Sequence, residues 1–131
     1  FKIFPLDVGL LGAMTDVPAS KLLVGDNCFT EFKGAFTECY VNEQLARIQI
    51  PTYYFSGNDT EIEIDFAVQT ENRVIPIEVK SEESVRSKSL KTYIDKNPSL
   101  KGLRVSMKNY IDQGWMENIG LYAIEGYLRK S

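Results

Sequence analysis

Between Asp26 and Ile48 the apolar residues Phe36, Tyr40, Val41, Leu45 and Ile48 recur at helical spacing. That spacing predicts a helix over 26–48, capped by Asp26 or Asn27, with Pro51 closing the region. The pattern then changes period. The aromatic run Thr52–Ser56 predicts a strand ending at the turn cluster Gly57-Asn58-Asp59. Residues 61–68 alternate strictly, which puts Ile62, Ile64, Phe66 and Val68 on one predicted face. After a polar turn at Thr70-Glu71-Asn72, residues 73–80 alternate again, with Ile75, Ile77 and Val79 together. Residues 84–96 read as a second helix stopped by Pro98, and 103–107 and 120–124 as two further strands. The stretch Lys2–Leu6 is strand-like. Helix, three meandering strands, helix, strand, strand is the order of an α/β domain around one mixed sheet. At 131 residues, one domain over 1–131 is expected.

The hairpin of the second and third strands carries the candidate chemistry. A turn centred on Glu71-Asn72 opposes residues whose numbers sum to 143, which sets Asp65 against Glu78 and Glu63 against Lys80. Directly opposed side chains have Cβ atoms about 4.5–5.5 Å apart, and like charges there repel. Carboxylates so close share a proton, recruit a cation or bind a metal. Lys80 falls on the same face as Glu78 and is one internal cation. Glu38 lies three and seven residues before Val41 and Leu45, inside the apolar stripe that should face the sheet. A charge there is costly unless paired or coordinated, and the same cluster is its expected partner. Oxygen donors without histidine or thiolate suit Mg²⁺ or Mn²⁺.

Composition narrows the classes. Histidine is absent, which removes histidine-based acid–base catalysis, triads and most zinc sites. Cys28 and Cys39 are expected on one helix, eleven residues or roughly 16 Å apart, too far for a bridge. Reduced thiols suit a cytoplasmic protein. No apolar run is long enough for a membrane span. The net charge of −3 argues against a DNA-coating surface, yet it is unevenly spread. Residues 1–72 hold 4 basic and 11 acidic side chains, and residues 73–108 hold 9 and 4. Either the segregation is incidental, or a phosphate-facing patch adjoins an acidic metal-binding region.

Helix-borne Glu38, Asp65 in Ile64-Asp65-Phe66, and Glu78-Val79-Lys80 together resemble the PD-(D/E)xK phosphodiesterase superfamily, although Ile64 stands where its name-giving proline would precede Asp65. More narrowly, Leu6-Asp7-Val8-Gly9-Leu10, Lys33–Glu38, Ile64–Phe66, Pro76–Lys80, Ser87–Lys91 and Leu121–Ile124 resemble the domain of unknown function at the C-terminus of prokaryotic AAA-type ATPases. The resemblance implies a restriction-endonuclease-like core, a central mixed β-sheet flanked by helices, and an upstream ATPase in a longer protein; the opening on Phe1 also reads as a fragment. It implies that Asp65, Glu78 and the Val79 carbonyl hold Mg²⁺ or Mn²⁺, with Glu38 completing the shell. Lys80 would orient the attacking water in hydrolysis of a nucleic-acid phosphodiester. Arg86, Lys88 and Lys91 are candidate contacts to backbone phosphates, or simply solvated helix charges. The rival expectation is a catalytically silent nuclease-fold module, its carboxylates and Lys80 salt-bridged, that mediates protein or nucleic-acid interaction for the ATPase.

Overall fold

The computed structural model describes residues 2–16, 30–57, 62–81 and 86–131, with the side chains of 30–32 excepted. The expected helix caps Asp26 and Asn27, Cys28, the Asn58-Asp59 turn and Ser84 lie outside those residues. The described elements are α1 (Val8–Met14), α2 (Thr30–Arg47), β1 (Thr52–Ser56), β2 (Glu63–Gln69), β3 (Val74–Val79), α3 (Lys88–Lys96), β4 (Gly102–Ser106), β5 (Ile111–Asp112), β6 (Met116–Gly120) and α4 (Ile124–Leu128).

The expected α/β architecture is present. Six strands form one mixed sheet in the order β1-β2-β3-β4-β6-β5. The hairpins β1–β2, β2–β3 and β5–β6 are antiparallel, and β3–β4–β6 is parallel. Helix α3 supplies the crossover from β3 to β4, which parallel neighbours require. Parallel strands are covered on both faces and read as apolar runs. Accordingly every residue of β4 and every residue of β3 after Val74 is buried.

Two apolar clusters fill the space above and below the sheet. One joins Val41 and Leu45 of α2 and Ile124 and Leu128 of α4 to Phe66, Ile77, Val105 and Ile119. The other joins Leu90 and Ile94 of α3 to Ile64 and Met116. The strict alternation expected for 61–68 is therefore broken. Ile62, Ile64, Phe66 and Val68 are all buried, but Ile64 packs under α3 while Phe66 and Val68 pack under α2. The cause is an irregularity in the β1–β2 ladder. Tyr53 pairs with Ala67 and Phe55 with Ile64, so Tyr54 faces two residues, Asp65 and Phe66. One extra residue on β2 reverses which face the strand presents.

Two other expectations are corrected. Lys2–Leu6 is not a strand; the chain there is irregular, and Asp7 caps α1 through its Oδ1, which accepts from the Leu10 N–H at 2.7 Å. The stretch 120–124 is not a strand either. The strand is β6, which ends at Gly120, and the chain then turns through a 3₁₀ segment, Leu121–Ala123, into α4. Ile124 and Leu128, four residues apart, are both buried, so helical spacing suits the packing better than alternation.

A candidate acidic site where two strands part

The β2–β3 pairs Phe66–Ile77, Ala67–Pro76, Val68–Ile75 and Gln69–Val74 all follow the expected register. The ladder stops there, one pair short of Asp65 and Glu78. Past it, the Val79 N–H donates to Asp65 Oδ2 at 2.8 Å, and the Lys80 N–H donates to the Val105 carbonyl at 2.9 Å. A side-chain carboxylate thus takes the place of a ladder carbonyl, at the bulge that aims Asp65. β2 and β3 part at this point.

The sequence-predicted residues fall into two groups around different cations. The first gathers on Lys2, which pattern reading misses. Its Nζ lies 3.4 Å from Glu38 Oε2, 3.3 Å from Glu63 Oε1 and 3.5 Å from Asp65 Oδ1. Glu38 does look from α2 toward Asp65, as its place in the apolar stripe predicts. Glu63 pairs with Lys2, whereas the sequence reading set it against Lys80. Burial and the neighbouring Asp65 raise the Glu38 proton affinity, and Lys2 offsets this only in part. Burial works against the Lys2 charge, but Glu38, Asp65 and Glu63 together outweigh it and hold the ammonium above its ordinary range. Lys2, Glu38 and Glu63 border a hollow of about 340 Å³. Lys2 and Asp65 border another of about 170 Å³, with Tyr53 and Tyr54. A hollow of about 400 Å³ between Pro51, Glu71 and Leu128 is away from this chemistry.

The second group is a row across the parallel strands. Glu78, Arg104 and Asn118 are register partners on β3, β4 and β6. All three are buried. The Arg104 Nε donates to Asn118 Oδ1 at 2.8 Å, and its Nη1 to Ser87 Oγ at 3.4 Å. Burial lowers the Arg104 pKa and the Glu78 charge counters it. Glu78 Oε1 also pairs with Lys80 Nζ at 3.1 Å, while Glu78 Oε2 is buried without a hydrogen-bond partner. Arg104 and Asn118 were legible only as polar letters inside strand runs, a weak signal.

The donor types suit a hard cation, but their placement does not. Among the described residues no group of three or more Asp, Glu, His or Cys side chains could hold a metal ion. Asp65 and Glu38 attend Lys2, and Glu78 attends Lys80 and Arg104. Val79 meets the site through its N–H. Arg86, Lys88 and Lys91 are brought together along an open groove of about 510 Å³ with Trp115. The Lys91 ammonium pairs with Asp95 and stands 5.5 Å from the Trp115 ring centroid. Cys39 is a buried free thiol.

Residues 33–123, well over half of the chain, match the family described as a domain of unknown function, DUF4143. The chain belongs to that family. The DUF4143 match includes Glu38, Asp65, Glu78 and Lys80, while Lys2 precedes it. No curated protein and no solved structure matches the chain. No helix among the described residues of this DUF4143 domain is long and apolar enough to cross a membrane.

Proposed function

We propose that this domain is a catalytically silent, nuclease-like module that binds for a covalently linked ATPase and does not cut. The scaffold reading rests on the resemblance of Glu38, Asp65 and Glu78-Val79-Lys80 to the PD-(D/E)xK pattern, set on a mixed sheet with helices on both faces. One observation carries the silent reading: the Lys2 ammonium stands among three carboxylates. An internal cation there supplies the positive charge that clustered carboxylates need, and it supplies it permanently. The acidic balance of residues 1–72 also suits a protein-facing module better than a phosphate-coating one.

Calorimetric titration with Mn²⁺ tests this. The expected outcome is no stoichiometric site and no nicking of DNA or RNA. Lys2→Met should then lose about 1–3 kcal/mol in denaturant unfolding, because three carboxylates are left facing one another. A stoichiometric Mn²⁺ site that disappears in Glu78→Ala would overturn the reading. It would favour the second one, a Mg²⁺- or Mn²⁺-dependent nuclease, for which the unpartnered, buried Glu78 Oε2 speaks. Attachment to an ATPase is tested by the neighbouring sequence, where a Walker A motif is expected upstream.

A further inference from the structure

The first strand has features that neither the acidic site nor the fold requires. Among the described residues β1 is an edge of the sheet, and all five of its residues are exposed. Tyr53 is 62% exposed, Tyr54 45% and Phe55 41%. An edge strand with open N–H and C=O groups is a template for another strand, and proteins blunt such edges with charge, proline, bulges or brevity. The run Thr52-Tyr53-Tyr54-Phe55-Ser56 carries no charge and no proline. The bulge beside it adds its residue to β2, so β1 itself stays five residues of unbroken strand. The opposite edge is handled otherwise: β5 has two residues, and its Asp112 is paired with Lys101.

The order of residue types along β1 names the occupant. Read in either direction it runs hydroxyl, aromatic, aromatic, aromatic, hydroxyl. We propose that two copies of this chain pair their β1 strands antiparallel about a two-fold axis at Tyr54, joining two sheets into one. That register opposes Thr52 with Ser56, Tyr53 with Phe55, and Tyr54 with itself. Hydroxyl pairs and aromatic pairs are the cross-strand neighbours that stabilise antiparallel sheets, and no like charges meet. A two-fold contact needs a self-complementary patch, and this strand is one. The pairing also respects the pleat, since opposed residues share a face. The Phe55 ring already packs tilted against Tyr93 of α3, centroids 5.3 Å apart, so the seam extends an existing aromatic contact. On the other face Tyr54 borders the hollow that holds Lys2 and Asp65, so the seam runs beside each acidic site. An edge built for an unrelated peptide has no need of this symmetry.

Sedimentation equilibrium of the 131-residue chain from micromolar to millimolar concentration decides the matter. The expected result is a reversible monomer–dimer equilibrium. Tyr54→Lys places two ammonium groups face to face and should weaken it about fivefold, with an unchanged circular dichroism spectrum. Tyr54→Cys should be joined between copies by a short bis-maleimide, whereas Tyr122→Cys, exposed on another element, should not. A monomer at every concentration, or a dimer indifferent to Tyr54→Lys, overturns the proposal. So does equal cross-linking at positions 54 and 122. Should Tyr54→Lys fail to fold, the cross-linking comparison decides alone.

Discussion

Lys2 and Glu38 are separated by 36 residues, and Lys2 and Asp65 by 63, yet their charges settle one another. Glu38 was legible because a carboxylate inside an apolar helical stripe demands a partner. Lys2 was not, because it sits in irregular chain where no period marks it. The raised proton affinity of Glu38 has a pH consequence whose sign can be worked out. A carboxyl with a folded pKa above its unfolded value, about 4.3 for Glu, contributes stability that is full below the unfolded pKa. That stability is lost as pH rises through the folded pKa. Glu38→Gln removes the titration and keeps the shape. Denaturant midpoints followed from acid to neutral pH should therefore show the variant gaining on the parent as Glu38 ionises. Parallel curves would mean that the Lys2 ammonium fully compensates the buried charge.

At the scale of elements, the hairpin register could be read because turn position and alternation agree. The bulge could not, because a ladder slip of one residue leaves every letter of β2 unchanged. The apolar residues of β2 are buried either way, and the pattern does not say on which side. The run Gly120–Ile124 reads as a strand because its letters are apolar and short, while the partner that reveals a helical period, Leu128, lies four residues beyond Ile124. Glycine at 102 is set by packing: a Cβ there would meet the Leu90 side chain at 3.0–3.2 Å. Leu90 is fully buried under the sheet, so any retreat must displace its neighbours in the core. Gly102→Ala should cost about 1–3 kcal/mol by overpacking. A Cβ at Gly120 would come closer still, 2.7 Å, but to the ring of Tyr122, which is 84% exposed and can swing away. Gly120→Ala should therefore cost less, and thermal melts of the two variants check the order.

Across the whole molecule, the sheet is held by an apolar layer on each side and by one charged row within it. Glu78, Arg104 and Asn118 bring three strands into register that are distant in sequence. Removing the cation leaves Glu78 without its buried neighbour. Arg104→Met should lose about 3–5 kcal/mol, more than a surface ion pair is worth. Urea unfolding measures it, and a loss under about 1 kcal/mol would show that Lys80 alone sustains Glu78. Ser106, two residues along β4, joins this row by a hydrogen bond, its Oγ donating to Asn118 Oδ1 at 2.8 Å, and Asn118 Nδ2 ties down the Lys108 and Asn109 carbonyls. The polar layer therefore positions the chain that leads into β5.

The bond from the Val79 N–H to Asp65 Oδ2 has a use of its own. An amide inside a sheet ordinarily reports on a neighbouring strand; this one reports on a side chain. In a ¹⁵N-labelled sample its resonance should move when anything reaches that carboxylate, whether a proton, an ion or a docking surface. Its neighbour Lys80, whose N–H answers to the Val105 carbonyl, serves as the internal reference. Two adjacent cross-peaks thus form a built-in gauge of who occupies the gap between the strands.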